Sequence, residues 1–289
     1  MTYPVLNQYL SRLSERGSGA TSIWLDADGK AVGRFFNCTM SSAFQPVRAL
    51  GSDGAVHAYE GLARSVDSAD QGLSLWRLLD HAASDDESVE LDRLCRMLHA
   101  INFFRQSGEA DSGSADLYLN VHDRLLSAVS SNHGYAFQRI LAALDLPIAR
   151  IVLQLPQITA QQGWLLNYVA DNYRRNGFRF AVHVSDAAEG QALLQRVRPD
   201  VIKFDARTLG QHGDGDAAAA TEAAIAALLR HSRDAGTTVV FKRVEAAHTL
   251  AALERIGAAA GSVPLAQGFV LDRPHALLAP LRAPQQAAA

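Results

Sequence analysis

Eight short apolar runs recur from Ala43 onward: AFQPVRAL, VHAYEGLA, LYLNV, IVLQL, FRFAVHV, VIKF, TVVFK and PLAQG. Most gaps between them hold a segment of helical period, namely SLWRLLDHA, LDRLCRMLHAINFF, FQRILAALD, GWLLNYVADNYRR, AEGQALLQRV, ATEAAIAALLRHSRDA and HTLAALERIG. A strand buried on both faces reads as one apolar run, and each parallel pair needs a crossover, so this alternation calls for a parallel sheet covered by helices. Eight strands favour closure. The fold class expected is α/β, a TIM-like (β/α)8 barrel. One gap breaks the pattern. Only Gly51-Ser52-Asp53-Gly54-Ala55 separates the first two runs, too short a link for a crossover, so the first strand is expected to be antiparallel to the second.

Ahead of the barrel, Val5, Leu6, Leu10 and Leu13 are spaced as on a helix until Gly17-Ser18-Gly19 interrupts them. SIWLDADGKAVGRFF then reads as two apolar runs around Asp28-Gly29, a dipeptide that supplies the positive φ of a tight hairpin. The expected organisation is a helix and hairpin appendage over 1–36, a barrel over 37–283 and a disordered tail over 284–289. ARTLGQHGDGDAAAATE, with its clustered glycine and aspartate, is expected to be a mobile loop; its aspartates would repel a phosphate.

Lys and Arg number 27 against 30 Asp and Glu, a net charge of −3, so no basic field points to a nucleic acid or an anionic membrane as partner. Cys38 and Cys95 form neither a disulfide framework nor a cysteine-rich zinc site. MTYPVLNQYLSRLSERGSG lacks a secretory pattern and no membrane-spanning apolar run follows, so a cytoplasmic location is expected. The signatures G-x-S-x-G, H-E-x-x-H and G-x-x-x-x-G-K-[ST] are absent, which closes those routes to a serine hydrolase, a zincin and a P-loop enzyme. Asp26-Ala27-Asp28-Gly29 begins like a calcium loop, but Ala31 and Asn37 stand where that loop needs glycine and glutamate. In a barrel, chemistry sits where the strands end, and the polar residues there are Glu60, Asn120, Gln154, His183, Lys203, Asp205, Lys242 and Gln267.

Those strand ends resemble the EAL domain family. A-Y-E-G-L-A-R is similar to the signature E-x-L-x-R, as Glu60, Leu62 and Arg64, while FQPV, LYLNV, PDVIKFD and QGFVLDRP resemble further family segments in order, from Ala43 to Pro274. The resemblance implies a barrel with an antiparallel first strand. It also implies that active members hydrolyse cyclic di-GMP to the linear dinucleotide with two divalent cations, held by carboxylates and an asparagine. Two neighbouring cations need an oxygen-rich, net negative cluster.

Residue by residue, Glu60 and Asn120 stand at ligand positions of that pattern and Lys203 at the lysine that positions the attacking water. The family's E-[IL]-T-E is here Q-L-P-Q, with Gln154 and Gln157. Its D-D-F-G is H-V-S-D, with His183 and Val184 in place of the aspartates and Asp186 displaced; its A-E-G-V-E is F-K-R-V-E, with Lys242 and Glu245. Glu60 and Glu245 are thus balanced by Lys203 and Lys242.

The metal positions read as lost at Gln154, His183, Val184 and Lys242, leaving Glu60, Lys203 and Glu245 as remnants of catalysis. No cofactor and no enzymatic activity are expected. The ligand implied is cyclic di-GMP, with Gln45, Glu60, Leu62, Arg64, Asn120, Lys242, Glu245, Gln267 and Gly268 around it. Lys242 would bring positive charge near the lost cation positions, unless it pairs with Glu60 or Glu245 and closes the pocket; Lys203 and Asp205, two apart on one strand, would pair likewise. Two other readings stand beside this one: a module that docks another signalling or regulatory protein without nucleotide, and a phosphodiesterase using a softer metal through Glu60, Asn120, His183 and Gln154. Trp164, Leu165, Tyr168 and Tyr173 mark either a dimer surface or a core-facing stripe.

Overall fold

The computed structural model describes residues 5–9, 11, 21–36, 38–51, 54–66, 84–107, 115–123, 126, 132, 134–157, 163–210 and 215–279. The expected helix over SLWRLLDHA, most of the leader helix, the middle of the glycine-aspartate loop and the tail lie outside them; of the leader, residues 5–9 are helical.

Among the described residues, ten strands form one sheet: β1 (Thr21–Leu25), β2 (Ala31–Phe35), β3 (Cys38–Ala49), β4 (Val56–Ser65), β5 (Asp116–Asn120), β6 (Ile151–Gln154), β7 (Arg179–Val184), β8 (Val201–Asp205), β9 (Thr238–Lys242) and β10 (Leu265–Gln267). The helices are α1 (Asp85–Ser107), α2 (Tyr135–Ala143), α3 (Gly163–Arg175), α4 (Ala187–Arg196), α5 (Asp216–Asp234) and α6 (Ala247–Ala260). Strands β4 to β10 run parallel in chain order, and β3 closes the ring by pairing antiparallel with both β4 and β10. This is the eight-stranded TIM-like barrel that the alternating pattern implies, with the reversed first strand that the short link demands.

Inside the ring, Val47, Ala58, Tyr118, Val152, Ala181, Val201 and Val240 form one buried cluster with Leu265 packed against it, one residue from each barrel strand. Side chains two apart on a strand share a face. The next inward positions along β4 to β10 are therefore Glu60, Asn120, Gln154, His183, Lys203, Lys242 and Gln267; on β3, which runs the other way, the position is Gln45. A polar layer thus sits directly above an apolar plug.

The hairpin of β1 and β2 extends the sheet from the edge of β3. Its link is wider than a two-residue turn at Asp28-Gly29. Leu25 pairs with Ala31, and the Asp26 carboxylate accepts from the backbone N–H groups of Asp28 and Lys30, with φ +69° at Gly29. Buried Asn102 of α1 fastens the hairpin by accepting from the Ala31 N–H at 2.7 Å and donating to the Ala31 carbonyl at 2.8 Å.

After β10 the chain returns along β3: Phe44 exchanges two backbone hydrogen bonds with His275, Arg48 pairs with Asp272, and Tyr59 donates to the Ala279 carbonyl. On the far side, α3 buries Leu166, Val169 and Tyr173 but leaves Trp164 72% exposed, so its stripe is divided between core and surface. Among the described residues, no helix is long and apolar enough to cross a membrane.

Candidate functional site

The polar layer forms the floor of a cavity of about 420 Å³ lined by Gln45, Glu60, Leu62, Asn120, His183, Lys203, Lys242, Arg243, Glu245, Gln267, Gly268 and Phe269. At its centre the Glu60 carboxylate is held on every side: Lys203 Nζ donates to Oε2 at 2.8 Å, Gln267 Nε2 to the same oxygen at 2.8 Å, and Asn120 Nδ2 to Oε1 at 2.9 Å. Burial alone would raise this carboxyl, but the Lys203 ammonium and the three donors hold it at about 2. The network runs on through Gln154 Nε2 to Asn120 Oδ1, from Lys203 to Gln267 Oε1, and from Gln267 Nε2 to Gln45 Oε1. Among the described residues, Gln154 Oε1 is buried without a hydrogen-bond partner.

The second centre is cationic. Lys242 Nζ lies 2.9 Å from His183 Nδ1. Burial, then Lys242 and Lys203, push the imidazole down to about 3, so neutral His183 accepts from the ammonium. Lys242 is itself lowered to about 8 by burial and by neighbouring Arg243. Among the described residues it has no carboxylate at ion-pair distance, so the alternative in which it pairs with Glu60 or Glu245 does not hold: the imidazole takes that place. The alternative Lys203–Asp205 pair does not form either. Lys203 turns inward to Glu60, while Asp205 accepts from Arg207 at 2.8 Å and Arg243 at 2.7 Å and is held at about 2, its part-burial outweighed by those guanidiniums.

Other expected site residues fall outside this group. Val184 is buried in the outer core, Asp186 caps α4 by accepting from the Glu189 N–H, and Gln157 donates to Ser185 Oγ. Arg64 is half-buried, donates to the Ala63 carbonyl, and does not line the cavity. Two lining residues escaped the sequence reading. Arg243 follows β9 at φ +62°, and Phe269 follows Gly268; each lies just past a strand, where no period marks an inward side chain.

A family model described as EAL domain matches residues 31–274. No curated protein matches the sequence. Among solved structures, the Bacillus subtilis YkuI protein, with an EAL domain, in complex with c-di-GMP and calcium, is 21% identical over 84% of this chain and 56% of that one, with a TM-score of 0.64. Klebsiella pneumoniae BlrP1, as a manganese and c-di-GMP complex, is 21% identical over 89% and 59%, TM-score 0.64. A standalone EAL protein from Vibrio cholerae O395, in its c-di-GMP bound form, is 17% identical over 88% and 100%, TM-score 0.62. This chain spans a little over half the length of the first two. At such identities the likeness is one of fold.

These structures correct the expectation of no cofactor, since calcium or manganese accompanies the nucleotide in relatives of the same fold. In this chain the Glu60 carboxylate on the cavity floor already accepts from three nitrogen donors, and no group of three or more His, Cys, Asp or Glu side chains able to hold a metal occurs among the described residues. As arranged, that donor set does not fit a pair of hard cations, which need several anionic oxygens.

Proposed function

The chain belongs to the EAL domain family, and from that premise we propose that its barrel mouth binds cyclic di-GMP as a signal without hydrolysing it. The observation that carries this reading is that the one carboxylate on the cavity floor, Glu60, is held by Lys203, Gln267 and Asn120, while the ammonium of Lys242 has no carboxylate partner among the described residues. Phosphodiester cleavage between two metal ions draws on several anionic ligands to place a hydroxide opposite the leaving oxygen. Here Gln154 and His183 offer neutral atoms, and Lys242 repels a cation.

The same groups favour a ligand that brings its own negative charge. The two phosphodiesters of a cyclic dinucleotide meet Lys242 and Arg243 on one wall, while Gln45, Gln267 and the Gly268 backbone supply neutral donors and acceptors on the other. Leu62 adds an apolar surface. Glu60 then acts as the anchor that keeps Lys203 and Gln267 in place.

The test is an isothermal titration with cyclic di-GMP, run with manganese or calcium present because those ions accompany the nucleotide in relatives, alongside chromatography for the linear dinucleotide. Saturable heat with no product is expected. Turnover would overturn the non-hydrolytic reading, and absence of heat at high micromolar nucleotide would overturn binding.

A further inference from the structure

Trp164 and Tyr168, 72% and 39% exposed, lie one turn apart on the outward side of α3, and among the described residues no other helix carries two large exposed apolar side chains. The inward side of α3 is complete without them, since Leu166, Val169, Ala170 and Tyr173 fill the core. Beyond Tyr168 the outward side continues through Asp171 and Arg175, both exposed. With 3.6 residues to a turn, these four side chains fall within about 60° of one another around the helix. Arg175 has no acidic partner among the described residues, and Asp171 meets only Arg174, at 3.5 Å. Arg174 itself turns aside to the carbonyls of Val197 and Arg198.

The order of the four residues is self-complementary. Trp164 and Arg175 are equidistant from the point between Val169 and Ala170, and so are Tyr168 and Asp171. A second α3 laid antiparallel across a two-fold axis at that point brings each indole to a guanidinium and each phenol to a carboxylate. A guanidinium on an indole is the most favourable of the cation–π pairs, and a tyrosine hydroxyl donates to a carboxylate oxygen. Single exposed apolar residues need no partner; two aromatics on successive turns, followed by charges in the complementary order, suit a surface that is covered.

We propose that the outward face of α3 is a dimerisation surface whose partner is a second copy of this chain, the two helices packed antiparallel about a two-fold axis. Such an isologous contact requires the one patch to be complementary to itself, which this order of residues satisfies. None of the four residues lines the barrel mouth, so the dimer does not depend on a nucleotide there. Two helices of 13 residues cover less than the roughly 1,200–2,000 Å² of a standard interface, which makes this a weak dimer, anchored chiefly by Trp164.

Sedimentation velocity of the full chain from low to several hundred micromolar tests this, with Trp164→Lys, Arg175→Glu and the double variant beside the parent. The parent is expected to pass from monomer to dimer across the range, and Trp164→Lys, which sets an ammonium against the partner's Arg175, to dimerise at least about tenfold more weakly. Arg175→Glu is expected to weaken the dimer as well, and the double variant to recover association through lysine–glutamate pairs. Positions 164 and 175 lie 11 residues apart, about 16 Å along one helix, so that recovery can only come from contact between copies. Thermal midpoints of all four proteins report folding separately. A parent that stays monomeric at several hundred micromolar, or a Trp164→Lys variant that dimerises as the parent does, would overturn the surface. A double variant no tighter than Trp164→Lys would overturn the antiparallel pairing.

Discussion

Lys203 supplies the counter-charge that lets Glu60 remain ionised at the base of the mouth, 2.8 Å away and itself only 1% exposed. Removing one member of such a pair leaves the other charge buried and alone, so Lys203→Met is expected to cost about 3–5 kcal/mol in urea unfolding, and the double variant with Glu60→Gln to recover much of it. The carboxyl's fall from the ordinary 4.5 to about 2 has a definite sign. Its stabilisation is complete above 4.5 and is lost as pH drops from there toward 2. Acid unfolding of Glu60→Gln should therefore be flatter across that window than that of the parent.

Lys242 behaves in the opposite sense. Its folded-state value of about 8 lies below the ordinary 10.5, so the protonated ammonium destabilises the fold at neutral pH, and stability recovers as pH climbs from 8 toward 10.5. Because the side chain is only part-buried, solvent screening limits the penalty to the order of 1 kcal/mol. Lys242→Met is expected to melt slightly higher than the parent at pH 7 while binding cyclic di-GMP more weakly. A residue that costs stability where it stands is characteristic of a site shaped for a ligand.

At the scale of elements, the hairpin is joined to α1 through the Asn102 amide. Asn102 bonds both backbone groups of Ala31 from a fully packed stretch of α1, and Asn102→Ala leaves the buried Ala31 N–H without its amide acceptor while the Ala31 carbonyl keeps the Ser41 hydroxyl at 3.2 Å. A loss of about 1–3 kcal/mol is expected, with hydrogen exchange of Ala31 to Phe35 rising ahead of the barrel strands. The strands themselves were legible because each is buried on both faces and so reads as an unbroken apolar run. The polar strand ends were legible as well, since inward positions recur every two residues. Their partners were not. Whether Lys242 meets Glu60 or His183 depends on the stagger of a closed barrel, which offsets neighbouring strands by amounts that no single strand's pattern records. The hairpin link escaped for a different reason: Asp26 organises the turn through its side chain, so Asp28-Gly29 looked like the whole of it. Phe269 and Arg243 sit in exit segments, where backbone hydrogen bonds rather than periodicity decide direction.

Across the whole molecule, the weakest joint of the barrel is its closure. β10 pairs with β3 at only Leu265↔Ala49 and Ala266↔Arg48, whereas β3 and β4 are matched from Met40↔Ser65 down to Arg48↔Val56. The returning C-terminal segment completes that seam through Asp272, His275 and Ala279, with Gln106 of α1 donating to the Ala276 carbonyl and accepting from the Leu278 N–H. Truncation after Leu271 removes these bonds together. At roughly 1 kcal/mol each, the loss should be several kcal/mol, seen as a lower thermal midpoint and a less cooperative transition.

The reversal of β3 has one more consequence. Because that strand starts at the rim and descends, the hairpin joined to its upper end stands beside the opening instead of beneath the floor. The strand that receives the hairpin also carries Gln45 into the network around Glu60. Hairpin and pocket therefore share one strand, the hairpin pairing at Cys38 to Met40 and the network reaching it at Gln45.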